Sequence, residues 1–129
     1  AAAALSPWTD LTLTGASLRA NAAADPMLDP DKLPELVHNY CAGAAPHTPY
    51  IAPIYGDPAG LPPTLIQAGS DEILRDDAVR MADKMRAAGC EVALELWEQM
   101  PHVWHLYARF VPEGRRALAC VGEFLRARM

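Results

Sequence analysis

The chain has 129 residues, a formal net charge of -5 at pH 7, and a composition that is 51% apolar and 21% charged. This is the composition of a packed domain, and the length fits one modest domain or a fragment of a larger one. The negative charge disfavours nucleic acid and anionic membrane surfaces as partners, and no apolar run reaches the length of a membrane span. Three separated cysteines without a C-x-x-C pair predict free thiols in a reducing, cytoplasmic compartment, and the AAAAL start is too short for a signal peptide.

The first part of the chain predicts one strand and one helix. Residues 1–5 form a small apolar run that predicts the end of a buried strand, and residues 8–27 carry breakers that predict an irregular segment. Asp29 is placed to cap a helix with Pro30 in its first turn, and Gly43 is placed to stop it. The apolar face predicted for this helix comprises Leu33, Leu36, Val37 and Tyr40.

A proline-rich connection separates this helix from a second strand. Residues 46–63 carry six prolines, and residues 64–68 form a short apolar run that predicts a buried strand. Asp76 or Asp77 is expected to open the next helix, and Gly89 is expected to end it. The apolar stripe predicted for that helix comprises Val79, Ala82 and Met85.

The last part of the chain predicts a third strand and a last helix. Residues 91–97 alternate between apolar and more polar side chains, which is typical of an edge strand, with Val92, Leu94 and Leu96 on the apolar face. Residues 112–128 predict a helix whose inward residues are Ala117, Leu118, Val121, Phe124 and Leu125. Strands that alternate with helices in this order predict right-handed crossovers and a parallel sheet, and therefore an α/β fold.

Polar residues follow two of the predicted strands. Asp71 and Glu72 come directly after the second strand, in the turn AGSDE, and His102 follows the third strand in the sequence MPH. Loops at the carboxyl ends of parallel strands meet over a ligand crevice, so the acid and the histidine are expected to lie together. A carboxylate and a histidine in these places are two of the three members of a Ser-His-acid triad.

The segments LSPWTDL, GLPPTLIQAGSDEILRDD and MPHVW resemble the C-terminal part of the hormone-sensitive-lipase-like carboxylesterases, bacterial family IV of the α/β-hydrolases. The resemblance runs from about Leu5 to the end of the chain. It implies about three parallel strands with flanking helices, with residues 8–55 as a cap-like segment and residues 61–129 carrying the acid and the histidine. The implied activity is the hydrolysis of short to medium acyl esters by a serine esterase without a cofactor.

The nucleophile of such an esterase has no counterpart in this sequence. Neither a G-x-S-x-G turn nor an HGG-type oxyanion motif occurs, and Ser6, Ser17 and Ser70 all lack the flanking glycines. The sequence therefore predicts that an N-terminal portion with the nucleophile is missing, and that this chain alone does not hydrolyse esters. The alternative is a non-catalytic structural or dimerisation module of the α/β type.

The resemblance assigns His102 as the general base and a carboxylate as its partner. In the family pattern D-x-L-x-D the acid stands four residues before a second acid, and here Glu72 stands four residues before Asp76. This register favours Glu72, and Asp71 stays open as the alternative acid. The spacing His102-x-x-His105 also permits a zinc site, but no further ligands lie nearby in the sequence, so we expect no metal.

Two further expectations come from the resemblance. The first is a substrate pocket formed by Trp8, Asp25, Pro26, Met27 and Leu28, with the competing interpretation that Trp8 and Leu28 are simply core residues. The second is a homodimer formed through the strand at residues 91–97 and the last helix.

Overall fold

The computed structural model describes residues 1–128 and contains a parallel sheet of three strands in the order β1-β2-β3. The strands are β1 (Ala2–Leu5), β2 (Thr64–Gly69) and β3 (Val92–Trp97), and they are paired in register from their first residues. All six residues of β2 are buried, because this strand has a neighbour on each side and helices on both faces. The expected α/β fold with three parallel strands and flanking helices is confirmed.

In residues 1–128, four α-helices and two short 3-10 helices surround the sheet. The α-helices are α1 (Ser17–Ala20), α2 (Leu33–Cys41), α3 (Arg75–Ala87) and α4 (Pro112–Arg126), and the 3-10 helices are Pro53–Tyr55 and Trp104–Tyr107. Among the described residues, no helix has the length and apolar character needed to cross a membrane. All three cysteines are free thiols.

Helix α3 packs on one face of the sheet. Side chains from β2 and α3 form the main core cluster, which comprises Ile66, Ala68, Ala78, Met81, Ala82 and Met85. Val92 and Leu94 of β3 pack against this cluster from the edge. Each large apolar side chain buried in this way contributes about 1.5–3 kcal/mol to stability relative to an exposed one. Alternate residues of a strand face opposite sides, so Gln67 points towards α4, where its amide donates to the carbonyl of Ala117.

Helix α2 differs from the sequence prediction. It begins at Leu33, because Asp29 instead closes a turn of its own by accepting the N–H of Asp31. Its last turn ends at Ala42, which has the left-handed φ of 47° expected one residue later at a glycine. The prediction of an inward face is wrong for two residues, since Leu36 and Tyr40 are 47% and 67% exposed.

Smaller corrections apply to the other elements. The segment at residues 8–27 contains the short helix α1, and α3 buries Ala78 and Met81 where Val79 was expected. Leu96 and Leu118 were expected inside and are exposed instead. Helix α4 buries the small residues Gly114 and Ala117. Gly114 lies against the backbone of Ala108, because a Cβ on Gly114 would stand 2.9 Å from the Cα of Ala108. This close contact leaves no room there for a larger side chain.

Candidate active site

The turn after β2, residues 69–74, holds a buried carboxylate. The side chain of Glu72 is fully buried, and its Oε1 accepts the backbone N–H of Gly69 at 2.9 Å. Its Oε2 lies 2.9 Å from Nδ1 of His102. We call residues 69–74 the acid turn. Because a carboxylate only accepts hydrogen bonds, this geometry places the imidazole proton on Nδ1 and leaves Nε2 with a free lone pair.

The histidine lies in the turn after β3, residues 98–103, which we call the histidine turn. Two of its residues have left-handed backbones, with φ of 58° at Gln99 and 43° at Val103. The N–H of Val103 donates to the hydroxyl of Ser6 at 3.0 Å, and Ser6 is itself buried with a φ of 48°. The side chain of His102 remains 17% exposed. A strained backbone held by a buried hydroxyl therefore presents the imidazole at the carboxyl end of the sheet.

Direct hydrogen bonds join the acid turn to the histidine turn. Asp71 N–H donates to Met100 O at 3.2 Å, and Gln99 N–H donates to Ser70 Oγ at 2.8 Å. Ser70 N–H also donates to the carbonyl of Trp97, the last residue of β3, at 2.8 Å. These bonds fix the separation between the two turns.

Gly69 permits this close approach. A Cβ built on Gly69 would stand 1.9 Å from the carbonyl oxygen of Met100. Real Cβ atoms essentially never come closer than 3.0 Å to another heavy atom, so the position requires glycine.

The two candidate acids lie in different environments. Asp71 is half-buried and its Oδ1 accepts the hydroxyl of Ser70 at 2.7 Å. Within residues 1–128, the carboxylate hydrogen-bonded to His102 is that of Glu72, and Asp71 makes no such bond. The structure thus brings Glu72 to the imidazole and turns Asp71 towards the neighbouring serine.

The five predicted pocket residues divide into two groups. Trp8 and Leu28 pack against the core cluster of Leu18, Leu33, Ile73 and Leu74, whereas Pro26 and Met27 are exposed. Asp25 is buried, and its carboxylate accepts the N–H groups of Met27, Leu28 and Ile73. The last of these bonds, at 2.9 Å, ties the predicted pocket segment to the residue that follows Glu72.

Two residues that the sequence prediction missed also bind the acid turn. The amide of Asn21 donates to the carbonyls of Ser70 and Glu72 at 2.8 and 2.9 Å, and the hydroxyl of Ser17 donates to the carbonyl of Ile73 at 2.6 Å. Ser17, Asn21 and Asp25 are spaced four residues apart, which places them on one face of a helical segment. This spacing is the sequence signal that could have identified them.

His105 lies beneath the site. Burial, followed by the nearby His102, lowers its pKa to about 4, so its ring is neutral near pH 7. Its Nε2 lies 2.9 Å from Oε1 of Gln67, and its ring stacks on Trp104 with centroids 3.9 Å apart. The amide nitrogen of Gln67 already donates to Glu95, so the Gln67 oxygen accepts from Nε2–H. The described residues contain no group of three or more His, Cys, Asp or Glu side chains able to hold a metal ion.

Comparisons with known proteins agree on the type of fold. The model of an α/β-hydrolase fold family matches residues 1–106. An acetyl-hydrolase of Streptomyces hygroscopicus is 45% identical over 126 residues, and an esterase of Acinetobacter venetianus is 38% identical over 121 residues. These alignments cover 98% and 93% of this chain but only 42% and 40% of the relatives. The chain therefore spans about two fifths of the length of these curated relatives.

Solved structures give the same picture. The crystal structure of an esterase from the bacterial hormone-sensitive lipase family matches with a TM-score of 0.95 at 42% identity, covering 98% of this chain and 43% of that one. The esterase EstE5, crystallised and soaked with p-nitrophenyl butyrate, matches with a TM-score of 0.93 at 41% identity, covering 97% of this chain and 42% of that one.

Proposed function

The chain belongs to the α/β-hydrolase family, in its hormone-sensitive-lipase-like branch, and we propose that it supplies the histidine and the acid of a Ser-His-acid triad in the whole protein. The observation that carries this proposal is the 2.9 Å contact between Nδ1 of His102 and Oε2 of Glu72. Glu72 and His102 both follow parallel strands at the carboxyl end of the sheet, which is where ligands bind in open α/β folds.

In the proposed reaction, the free lone pair on Nε2 of His102 takes the proton of a serine hydroxyl as that oxygen bonds to the ester carbonyl carbon. The imidazolium then gives this proton to the departing alcohol, which leaves an acyl-serine. Water hydrolyses the acyl-serine by the same proton transfers. Glu72 keeps the first proton on Nδ1 and stabilises the imidazolium that forms.

We propose that the serine comes from a part of the protein outside these 129 residues. Ser6, Ser17 and Ser70 all lack the glycine spacing of a nucleophile elbow, and each hydroxyl is hydrogen-bonded to main-chain or neighbouring groups of the two turns. The isolated chain should therefore show no ester hydrolysis above that of a free imidazole. A stoichiometric covalent adduct between this chain and a serine-directed phosphonate would contradict that assignment.

The proposed substrates are esters with short to medium acyl groups. Support comes from relatives named acetyl-hydrolase and esterase, and from the EstE5 crystal soaked with p-nitrophenyl butyrate. Trp8 and the segment at residues 25–28 are proposed to line the pocket, since the bond from the Ile73 N–H to Asp25 holds this segment beside the acid turn and Trp8 is only partly buried against the core. p-Nitrophenyl acetate and butyrate are therefore suitable probe substrates.

The test compares substitutions of the two candidate acids in the full-length protein. Glu72→Gln keeps an oxygen for the Gly69 N–H but turns an NH2 group towards Nδ1 of His102, which forces the imidazole proton onto Nε2 and removes the base. We expect kcat to fall about 10,000-fold, as in other triads that lose the acid, with the melting temperature little changed. His102→Ala should lower kcat by a comparable or larger factor.

Asp71→Asn is the matched control, because it makes the same chemical change one residue away, at a carboxylate that bonds Ser70. It should retain most of the activity. A severe loss in Asp71→Asn together with a mild one in Glu72→Gln would overturn the assignment of the acid.

A second proposal concerns assembly. We propose that the whole protein forms a homodimer through β3 and α4, because β3 is the edge strand of the described sheet and Leu96 and Leu118 are 44% and 41% exposed. Sedimentation of the full-length protein should give a dimer, and Leu96→Lys should shift it towards monomer. A monomeric wild-type protein at micromolar concentration would refute this. A purely structural or dimerisation role remains the alternative, and it predicts self-association without ester hydrolysis.

A further inference from the structure

One side chain spans the segment of backbone that carries the proposed acid. The amide nitrogen of Asn21 lies 2.8 Å from the carbonyl oxygen of Ser70 and 2.9 Å from that of Glu72. A primary amide has two N–H groups that diverge, so each can serve one carbonyl. The two carbonyls are 49 and 51 residues away from Asn21 in sequence, so this is a tertiary contact and not a local turn.

The backbone of Asn21 is itself firmly held. Its N–H donates to Ser17 O at 2.9 Å, and its carbonyl accepts the N–H of Asp25 at 3.0 Å. The Ser17 hydroxyl binds the carbonyl of Ile73, and the Asp25 carboxylate binds its N–H. The side chains of Ser17, Asn21 and Asp25 therefore hold the acid turn on both sides of Glu72. The amide of Asn21 is therefore fixed at one end by its own helical turn and at the other by two carbonyls.

We propose that Asn21 is a positioning residue for the Glu72–His102 pair, an inference that rests on the proposed function. The side chain of Glu72 has one more torsion than that of an aspartate, so the position of its carboxylate depends strongly on the direction of its Cα–Cβ bond. Asn21 fixes that direction by holding the carbonyl of Glu72 itself and the carbonyl two residues before it. The carbonyls of Ser70 and Glu72 converge on one nitrogen, and without that donor they would repel each other.

The substitution that tests this is Asn21→Asp in the full-length protein. It preserves the shape of the side chain and replaces the donor with a second acceptor, so the turn must open. Displacement of a catalytic group by about 1 Å can cost about 100-fold in rate, so we expect kcat for p-nitrophenyl butyrate to fall about 10- to 100-fold with KM unchanged. Asn21→Ala, which removes the donors without adding charge, should act in the same direction and replaces Asn21→Asp if that variant does not fold.

The control for added charge is Ala23→Asp, which puts a carboxylate on an exposed position of the same turn. It should keep the kcat of the wild-type protein. The proton on Nδ1 of His102, observed by NMR as a far-downfield signal, should weaken or shift in Asn21→Asp and stay in place in Ala23→Asp. A stabilising role alone would lower the melting temperature without moving this signal.

A double-mutant cycle separates this inference from the proposed function. If Asn21 acts through Glu72, adding Asn21→Asp to Glu72→Gln should cause no further loss of kcat. Losses that multiply in the double variant, or an unchanged kcat and NMR signal in the single one, would overturn the positioning role while leaving the acid assignment intact. Full activity in Glu72→Gln would instead refute the proposed function itself.

Discussion

Replacing Gly69 with alanine tests how closely the acid turn and the histidine turn must approach. The added methyl would stand 1.9 Å from the oxygen and 2.6 Å from the carbon of the Met100 carbonyl group. An unstrained carbon–oxygen contact is about 3.3 Å or longer, so the two turns must separate by more than about 1 Å. The atoms that the added methyl would meet belong to the backbone of Met100, which cannot rotate away as the end of a side chain could.

The expected losses of stability and activity in Gly69→Ala follow from the contacts that this separation breaks. Overpacking of this kind costs about 1–3 kcal/mol, and loss of the bond from Asp71 N–H to Met100 O adds about 1 kcal/mol. The same movement draws His102 away from Glu72. We therefore expect Gly69→Ala to lower the free energy of unfolding by about 2–4 kcal/mol. Its kcat towards p-nitrophenyl butyrate should fall about 100-fold or more.

The assay measures urea denaturation and steady-state kinetics of the full-length protein. Gly60→Ala is the matched control, because Gly60 has a left-handed φ of 81° but open space where its Cβ would lie. It should cost about 1 kcal/mol through backbone strain and leave kcat unchanged. If Gly69→Ala and Gly60→Ala lose equal stability and keep equal activity, the close approach of the two turns has no importance for the site.

His105 gives a prediction about the pH dependence of stability, and Ser6 gives one about the histidine turn. Folding lowers the pKa of His105 from its ordinary value of 6.5 to about 4, so between these pH values the unfolded chain binds a proton that the folded protein does not. The free energy of unfolding should therefore fall by up to about 3 kcal/mol as the pH drops from 6.5 to 4. His105→Gln should remove this loss, measured by urea denaturation as the change in unfolding free energy between pH 6.5 and 4 relative to the unsubstituted protein, and an unchanged pH dependence would contradict the assignment. Ser6→Ala removes the acceptor of the Val103 N–H and should cost about 1–3 kcal/mol together with a loss of kcat, whereas wild-type kinetics would show that this bond does not hold the histidine turn.

Asp77 contributes to the pH dependence with the opposite sign. Burial raises its pKa to about 6, although the N–H groups of Asp10 and Thr9 donate to its carboxylate. The folded protein therefore binds the proton more tightly than the unfolded chain, and stability rises as the pH falls from about 6 to 3.8. The effects of His105 and Asp77 partly cancel in the native protein. Asp77→Asn should expose the full loss caused by His105, measured in the same titration of unfolding free energy.

The fold was accessible from sequence because each strand is short and carries an apolar run or an apolar face, and each is separated from the next by at least one helix. Two physical causes account for the helix faces that were misplaced. Periodicity shows which residues of a helix share a face, but not what covers that face, and so Leu36 and Tyr40 were placed inside although they are exposed. Helix α4 approaches the Trp104–Tyr107 helix through Gly114, and a small residue that permits contact gives no hydrophobic signal.

The acid and the histidine were predictable because they directly follow strands, where parallel topology brings side chains together. The residues that hold them were not. Asn21 and Ser6 act on backbone groups 49 to 97 residues away, and a backbone carbonyl or N–H has no signature in the sequence. Within residues 8–27, which the sequence predicts to be irregular, an asparagine with an unknown partner indicates only a break in regular structure.

Within residues 1–128, a set of hydrogen bonds holds Glu72 and His102 together. The acid turn is held by Asn21, Asp25 and Ser17, the histidine turn is held by Ser6, and the two turns bond directly to each other. In the proposed enzyme, we therefore expect the part outside the chain to set where the serine lies relative to Nε2, and the bonds described here to set how the acid meets the imidazole. Mixing this chain with a separately produced remainder of the protein should restore ester hydrolysis whenever the two parts associate. The rate should depend on their concentrations, whereas the Nδ1 proton signal of His102 should be the same in the reconstituted and intact proteins. A signal that differs between them would show that the remainder also shapes the acid–histidine pair.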